Sequence, residues 1–270
     1  MVADLEFQVG ERILDLGCGP GLWTSMFARK VAPTGIVIAV DSSPQLLGHA
    51  VSRRSDDPSG EVTSFARGDF SDVPFRDDTF DAVFLGNCLS YASDAAGVIR
   101  EMKRVTRSNG RVISKEFDDA TLIFHPVGAH LTAKVLQAVT GALIGVRPAK
   151  QGGAPHASPD PFVASEPSVP HFDSFMGRKT HGLFLEARLV DVRTRAYAIQ
   201  KVPPLSPEAK RYMQGNGGWL GRTAAPYLSD VDRRQWEAAF DPDSTEYVLD
   251  RHDFYFCMTE MVTVGIVGSG

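Results

Sequence analysis

The sequence predicts an α/β fold: a seven-stranded sheet, mostly parallel with an antiparallel last strand, carrying helices on both faces and inserted lid segments. Three observations lead there. Apolar runs of strand length alternate with amphipathic stretches of helix length from Glu11 to Phe117. The first run, Ile13-Leu14-Asp15-Leu16, leads into Gly17-Cys18-Gly19-Pro20-Gly21. A strand that bends sharply into a helix while its backbone approaches a ligand needs residues without a Cβ. Ile36 to Asp41 then supplies a second strand that ends on a carboxylate.

In chain order, the first helix is expected from Leu22 to about Val31, with Pro33-Thr34-Gly35 ending it. Ser43 is placed to cap the second helix, with Pro44 at its first position. Val62 to Ala66 reads as a third strand and Phe80 to Asn87 as a fourth. After Phe117 the rhythm breaks: Thr121 to Val146 reads as mostly helical, and Pro148 to Pro170 is rich in Pro, Gly, Ala and Ser. A long irregular insertion of this kind is a lid or binding loop, or is disordered. Phe175 to Lys179 opens a helix running to about Ala187, and Leu189 to Thr194 begins a sixth strand. Helical patterns at Pro207 to Gln214 and Asp230 to Phe240 flank the glycine-rich run 215–221. His252 to Val264 is the final strand, antiparallel to the sixth. The expected division is a core over 1–120, a lid or acceptor insertion over 121–175, core again over 176–202, a second insertion over 203–250 and a terminal core strand within 251–270.

The turn reads G-x-G-x-G, unlike the G-x-G-x-x-G of dinucleotide folds, and Asp15 stands two residues before its first glycine. A carboxylate there disfavours pyrophosphate and suits an ammonium or sulfonium, while Asp41 can accept both hydroxyls of a ribose. An adenosine with a cationic amino-acid tail satisfies both. The chain here resembles the class I S-adenosylmethionine-dependent methyltransferases, in the small-molecule, type 11 or ubiquinone-biosynthesis-like branch, whose sheet is Rossmann-like. Arg67-Gly68-Asp69-Phe70, the strand ending at Asn87, and Glu101 to Ile113, read as helix, glycine turn and fifth strand, continue the likeness over about the first 115 residues.

The resemblance implies S-adenosyl-L-methionine as cofactor and S-adenosyl-L-homocysteine as product. It implies cofactor contacts from Asp15, Gly17, Cys18, Gly19, Gly21, Trp23, Asp41, Ser42, Gln45, Gly68, Asp69, Phe70 and Asn87, with Asp69 on the adenine amino group and Phe70 on the ring. Two places depart from the family pattern. The first strand begins about a dozen residues from Met1, leaving little room for an N-terminal helix over the cofactor. Arg188 stands where a glycine usually ends a helix in a left-handed turn.

With 270 residues, 43% hydrophobic, the chain can bury a full core as one catalytic domain with insertions. A net charge of −5 argues against a broad footprint on nucleic acid. Cys18, Cys88 and Cys257 lie far apart, which suggests neither zinc site nor disulfide framework, and no metal is expected. Val135 to Val146 is too short to span a bilayer, so a cytoplasmic protein free of membrane is expected, as monomer or homodimer. Asn87-Cys88-Leu89-Ser90-Tyr91 lacks the two prolines that follow Asn or Asp in methyltransferases acting on exocyclic amines of bases.

The expected activity is methyl transfer to an oxygen or nitrogen of a small organic acceptor, in bacterial secondary (natural-product) or quinone-type metabolism, driven mainly by positioning. Carbon methylation of an activated ring or enol, and a non-catalytic cofactor-binding protein, are the alternatives. A hydroxyl or carbon acid needs a base, for which His125, Tyr91 and His171 are the candidates, with His130, Glu116 and Asp118 behind them. Trp219 either stacks on an aromatic acceptor or anchors the second insertion.

Overall fold

The computed structural model describes residues 1–55, 57–143 and 172–269. Its strands are β1 (Arg12–Leu16), β2 (Ile36–Asp41), β3 (Thr63–Arg67), β4 (Phe80–Gly86), β5 (Thr106–His125), β6 (Val190–Lys201) and β7 (Tyr255–Ile266). Its helices are α1 (Leu22–Val31), α2 (Pro44–Ser55), α3 (Ala95–Val105), α4 (Ala129–Leu143), α5 (Met176–Glu186), α6 (Pro207–Ala224) and α7 (Asp230–Phe240).

One seven-stranded sheet runs β3-β2-β1-β4-β5-β7-β6. The pairs β1–β2, β1–β4, β2–β3 and β4–β5 are parallel, with Leu14 opposite both Ile38 and Val83. Backbone bonds join Asn109 and Gly110, near the start of β5, to Val267, while Thr259 donates its N–H to Thr121 Oγ1 far along β5. As β5 advances β7 retreats, so the last strand is antiparallel, as the sequence predicts. The order reverses at β1 and β4, and in open sheets ligands bind where strand tips part at such a reversal.

Side chains alternate across β1. Leu14 and Leu16 enter one apolar cluster with Val83, Leu85, Met102 and Phe184, while Ile13 enters another with Phe27, Phe84, Ile113 and Val262. Phe27 and Phe84 meet edge to face at 4.9 Å, and each fully buried ring contributes about 1.5–3 kcal/mol. Asp15 shares the Ile13 face and is carried toward α1.

Two compact units divide the chain: 1–117 with 176–197 and 260–270, and 118–175 with 198–259. The first holds β1 to β4, α1 to α3 and α5. The second holds α4, α6 and α7, whose buried Phe124, Trp236, Phe240 and Phe256 pack together.

The structure corrects the sequence reading at two places. Residues 121–125, expected as helix, end the 20-residue strand β5, and the helix begins at Ala129. The glycine run 215–221, expected as a break, lies inside α6. A Cβ on Gly217 would meet the Phe240 ring at 2.5 Å, and one on Gly221 the Trp236 ring at 2.7 Å. Those glycines let α6 and α7 approach closely, and Trp236 Nε1 donates to Gly217 O at 2.8 Å. Trp219 therefore sits on a helix, its ring 5.7 Å from that of Phe172. Arg188 does adopt the left-handed turn, at φ 55°. Lys103 Nζ donates to the carbonyls of Ala187 and Arg188, satisfying the turn that a glycine would otherwise relax.

Candidate functional site

The site is built in the first unit, where β1 turns into α1. Three hydrogen bonds fix the turn. Cys18 N donates to Val40 O at 3.0 Å, Gly21 N to Cys18 O at 3.0 Å, and Gly19 N to Asp41 Oδ2 at 2.8 Å. Asp41 Oδ1 accepts from Ser43 N at 2.8 Å, so one carboxylate ties the β2 tip to the turn and to the start of α2. Ser43 Oγ caps α2 by accepting from Leu46 N.

Gly17 shows why the turn excludes side chains. Its φ is +61°, and a Cβ there would lie 2.4 Å from Cys88 Sγ. Gly19, at φ +53°, has nothing within 4 Å of the same position, so the turn opens outward onto free space.

Asp15 is 1% exposed. Thr24, in the first turn of α1, donates to its Oδ2 at 2.5 Å, whereas Oδ1 is buried with no partner. Burial pushes its carboxyl up to about 7, against the Thr24 bond and with the nearby Asp41 charge adding to the rise. A buried carboxylate with one bare oxygen is costly unless a cation or donor arrives.

The β4 tip forms the neighbouring wall. Asn87 takes a left-handed φ of 54° and donates its N–H to Lys115 O at 2.7 Å. Glu116, fully buried on β5, accepts at Oε1 from Cys88 N at 3.0 Å and Leu89 N at 2.8 Å. Burial raises its carboxyl to about 7 against those two bonds. Glu116 thus holds the turn that carries Cys88 against Gly17. Burial also pushes both the Cys18 and Cys88 thiols up, which leaves them unreactive near neutral pH. Lys115, its side chain 3% exposed, reaches Asn87 Oδ1 at 3.1 Å and Glu260 Oε1 at 2.6 Å, with Nζ 5.5 Å from the Trp23 ring centroid.

The structure brings Asp15, Gly17, Cys18, Gly19, Gly21, Trp23, Asp41 and Asn87 together around the β1 and β4 tips. Ser42 and Gln45 are exposed just beyond β2, and Gly68 N donates to Asp41 O at 3.1 Å. Asp69 is exposed, and its Oδ1 accepts from the N–H and the hydroxyl of Ser71, closing a local turn. Asp69, Phe70 and Tyr91 border a cavity of about 490 Å³ with Asp94 and Glu101.

His125, His130, Asp118 and Trp219 belong to the second unit. His125 ends β5, its ring 59% exposed and Nε2 3.9 Å from Asp253 Oδ2. His171 lies outside the described residues. Thr24, Cys88, Lys115 and Glu260 escaped the sequence reading. A Lys-Glu pair closing the apolar run Val112-Ile113-Ser114 was the available signal for Lys115. Among the described residues no group of three metal-binding side chains occurs, and no helix is long and apolar enough to cross a membrane.

A methyltransferase domain family matches residues 14–114. The chain is 30% identical over 140 residues to a demethylmenaquinone methyltransferase of Oceanobacillus iheyensis, covering 52% of this chain and 58% of that one. It is 40% identical over 102 residues to a 2-phytyl-1,4-naphtoquinone methyltransferase of Synechococcus elongatus, covering 38% and 44%. The chain thus spans about half the length of these relatives. The crystal structure of the YcgJ protein from Bacillus subtilis shares the fold over 100% of this chain and 97% of its own, with a TM-score of 0.59 at 16% identity.

Proposed function

We infer, from the methyltransferase domain family that matches residues 14–114 and from the glycine turn and its two acids, that the protein is a class I S-adenosylmethionine-dependent methyltransferase of the type 11 branch and methylates a small aromatic or quinone-type acceptor. The observation that carries this reading is the bare, buried oxygen of Asp15 beside a glycine turn open to solvent. A cationic amino-acid tail supplies what that oxygen lacks. The relatives named for quinone substrates support the acceptor class.

The residues present fit the donor. Asp15 would hold its ammonium, the remaining lone pairs of Asp41 its ribose hydroxyls, and Asp69 with Phe70 its adenine, while Ser42, Gln45 and Gly68 flank the sugar side. When bound, S-adenosylmethionine would supply an electrophilic methyl on a sulfonium that leaves as the neutral thioether, and a hydroxyl acceptor would give its proton to a group of this chain.

The chain's own contribution is placement. The three bonds of the glycine turn set the floor, and Glu116 sets the β4 wall against it. Asp15 gives up its proton when a cation arrives, because an opposite charge at contact favours the ionised form. Tyr91, four residues beyond Asn87 and bordering the cavity with Asp69, is the group we assign to the acceptor's proton.

Calorimetry with S-adenosylhomocysteine, followed by transfer of labelled methyl to a set of phenols, quinols and amines, tests the proposal. Saturable one-site binding and a labelled product are expected. Absence of heat with both donor and product would refute it.

A further inference from the structure

The contact between Lys115 and Asn87, taken together with the proposed methyl transfer, says what kind of acceptor the β4 tip accommodates. Lys115 Nζ bonds Asn87 Oδ1 and Glu260 Oε1, and an ammonium offers donors only. The oxygen and nitrogen of an amide are ordinarily hard to tell apart, but a lysine partner removes the ambiguity because only the oxygen can face it. The Asn87 nitrogen is thereby turned away from Lys115. It is not among the buried unpaired atoms of the half-buried strand tip, and among the described residues none accepts from it, so its two N–H groups remain unspent there.

Two features keep the amide in that orientation. Backbone and side chain of Asn87 are both clamped to Lys115, through Asn87 N to Lys115 O at 2.7 Å and Oδ1 to Nζ at 3.1 Å. Lys115 is itself held against the Trp23 ring and almost fully buried, so it cannot swing away. Glu260 cancels its charge, which lets a cationic donor bind nearby without repulsion.

We propose that Lys115 and Glu260 set Asn87 as a donor-only group at the acceptor side, so that the protein takes acceptors presenting an oxygen (phenol, enol or hydroxyquinone) and rejects amines of the same shape. An oxygen has a lone pair to accept from Asn87 and another to spare for reaction. A neutral amine has one lone pair, which Asn87 would occupy, and its own N–H groups would find no acceptor. Asn87 is then a specificity-determining residue and Lys115 its positioning residue.

The test uses the full chain saturated with S-adenosylhomocysteine and matched aromatic pairs, a phenol with its aniline and a naphthol with its naphthylamine, titrated by calorimetry. Wild type is expected to bind the hydroxyl member at least tenfold more tightly. Lys115→Met frees the amide to rotate and is expected to bring the pair within threefold, after its fold is checked by circular dichroism. Should that variant not fold, Asn87→Asp keeps an oxygen toward Lys115 and removes both donors, and is expected to abolish the hydroxyl preference. Equal or tighter binding of the amine by wild type, binding of no hydroxyl member, or an unchanged ratio in the folded variant overturns the proposal. Loss of S-adenosylhomocysteine binding by wild type refutes the methyltransferase reading instead.

Discussion

Replacing Gly17 with alanine perturbs the turn in two separable ways. The backbone stays at φ +61°, where a Cβ costs about 1 kcal/mol relative to glycine. The added methyl lies 2.4 Å from Cys88 Sγ, and forcing an atom into a packed site costs typically about 1–3 kcal/mol. Gly17→Ala should therefore lose about 2–4 kcal/mol, or about 5–15 °C in Tm for a domain of this size. Cys88→Ala removes the sulfur and leaves the next contact at 3.3 Å, a distance that a small shift relieves. In the Gly17→Ala background, then, Cys88→Ala should recover the steric part, although alone it costs about 1 kcal/mol as a lost buried contact. A double-mutant cycle by urea unfolding, followed by circular dichroism, should give a coupling of about 1–3 kcal/mol. Additive losses in the double variant, or a single variant as stable as wild type, would show that Cys88 does not wedge against this turn.

Burial pushes the Asp15 carboxyl up to about 7, and a bound ammonium would drive it to its ionised form, so S-adenosylhomocysteine binding should release a proton below about pH 7. Affinity should rise about tenfold from pH 6 to pH 8, calorimetry in buffers of different ionisation heat should detect the proton, and Asp15→Asn should flatten the profile. Stability of the ligand-free protein should run the other way. Native Asp15 and Glu116 hold protons to about 7 whereas their ordinary values are 3.8 and 4.5, so the folded state binds more protons in that window. Stability should then fall as pH rises from about 4 to 7 and level off above, with Glu116→Gln removing part of the slope in urea titrations. Asp41→Ala should weaken S-adenosylhomocysteine at least about tenfold, the roughly 1.4 kcal/mol of a charge-assisted bond, and unchanged calorimetric affinity would remove Asp41 from the site. Arg188→Gly should raise stability by about 0.5–1 kcal/mol in thermal unfolding, because glycine adopts the left-handed turn without strain.

Much of the first unit was legible because its signals are local. The apolar run, three glycines and two strand-end acids lie within residues 13–41, and each states its own backbone requirement. Elsewhere the local signal pointed the wrong way. Glycines at 215–221 read as a break in isolation, yet Gly217 and Gly221 serve the close approach of Phe240 and Trp236, residues distant in sequence. Residues 121–125 read as helix in isolation yet extend β5, where the Thr259 N–H, from far along the chain, donates to Thr121 Oγ1.

The alternation of strands and helices, the glycine turn and the pair Asp15 and Asp41 were determined by the sequence alone, since backbone sterics and hydrogen-bond demand act between near neighbours. Only the tertiary structure decided that Asp15 keeps a bare oxygen, that Cys88 closes over Gly17, and that Lys115 turns the amide of Asn87. Each of these depends on groups brought together across the sheet from 28 to 145 residues away, where desolvation and packing, rather than local propensity, set the outcome.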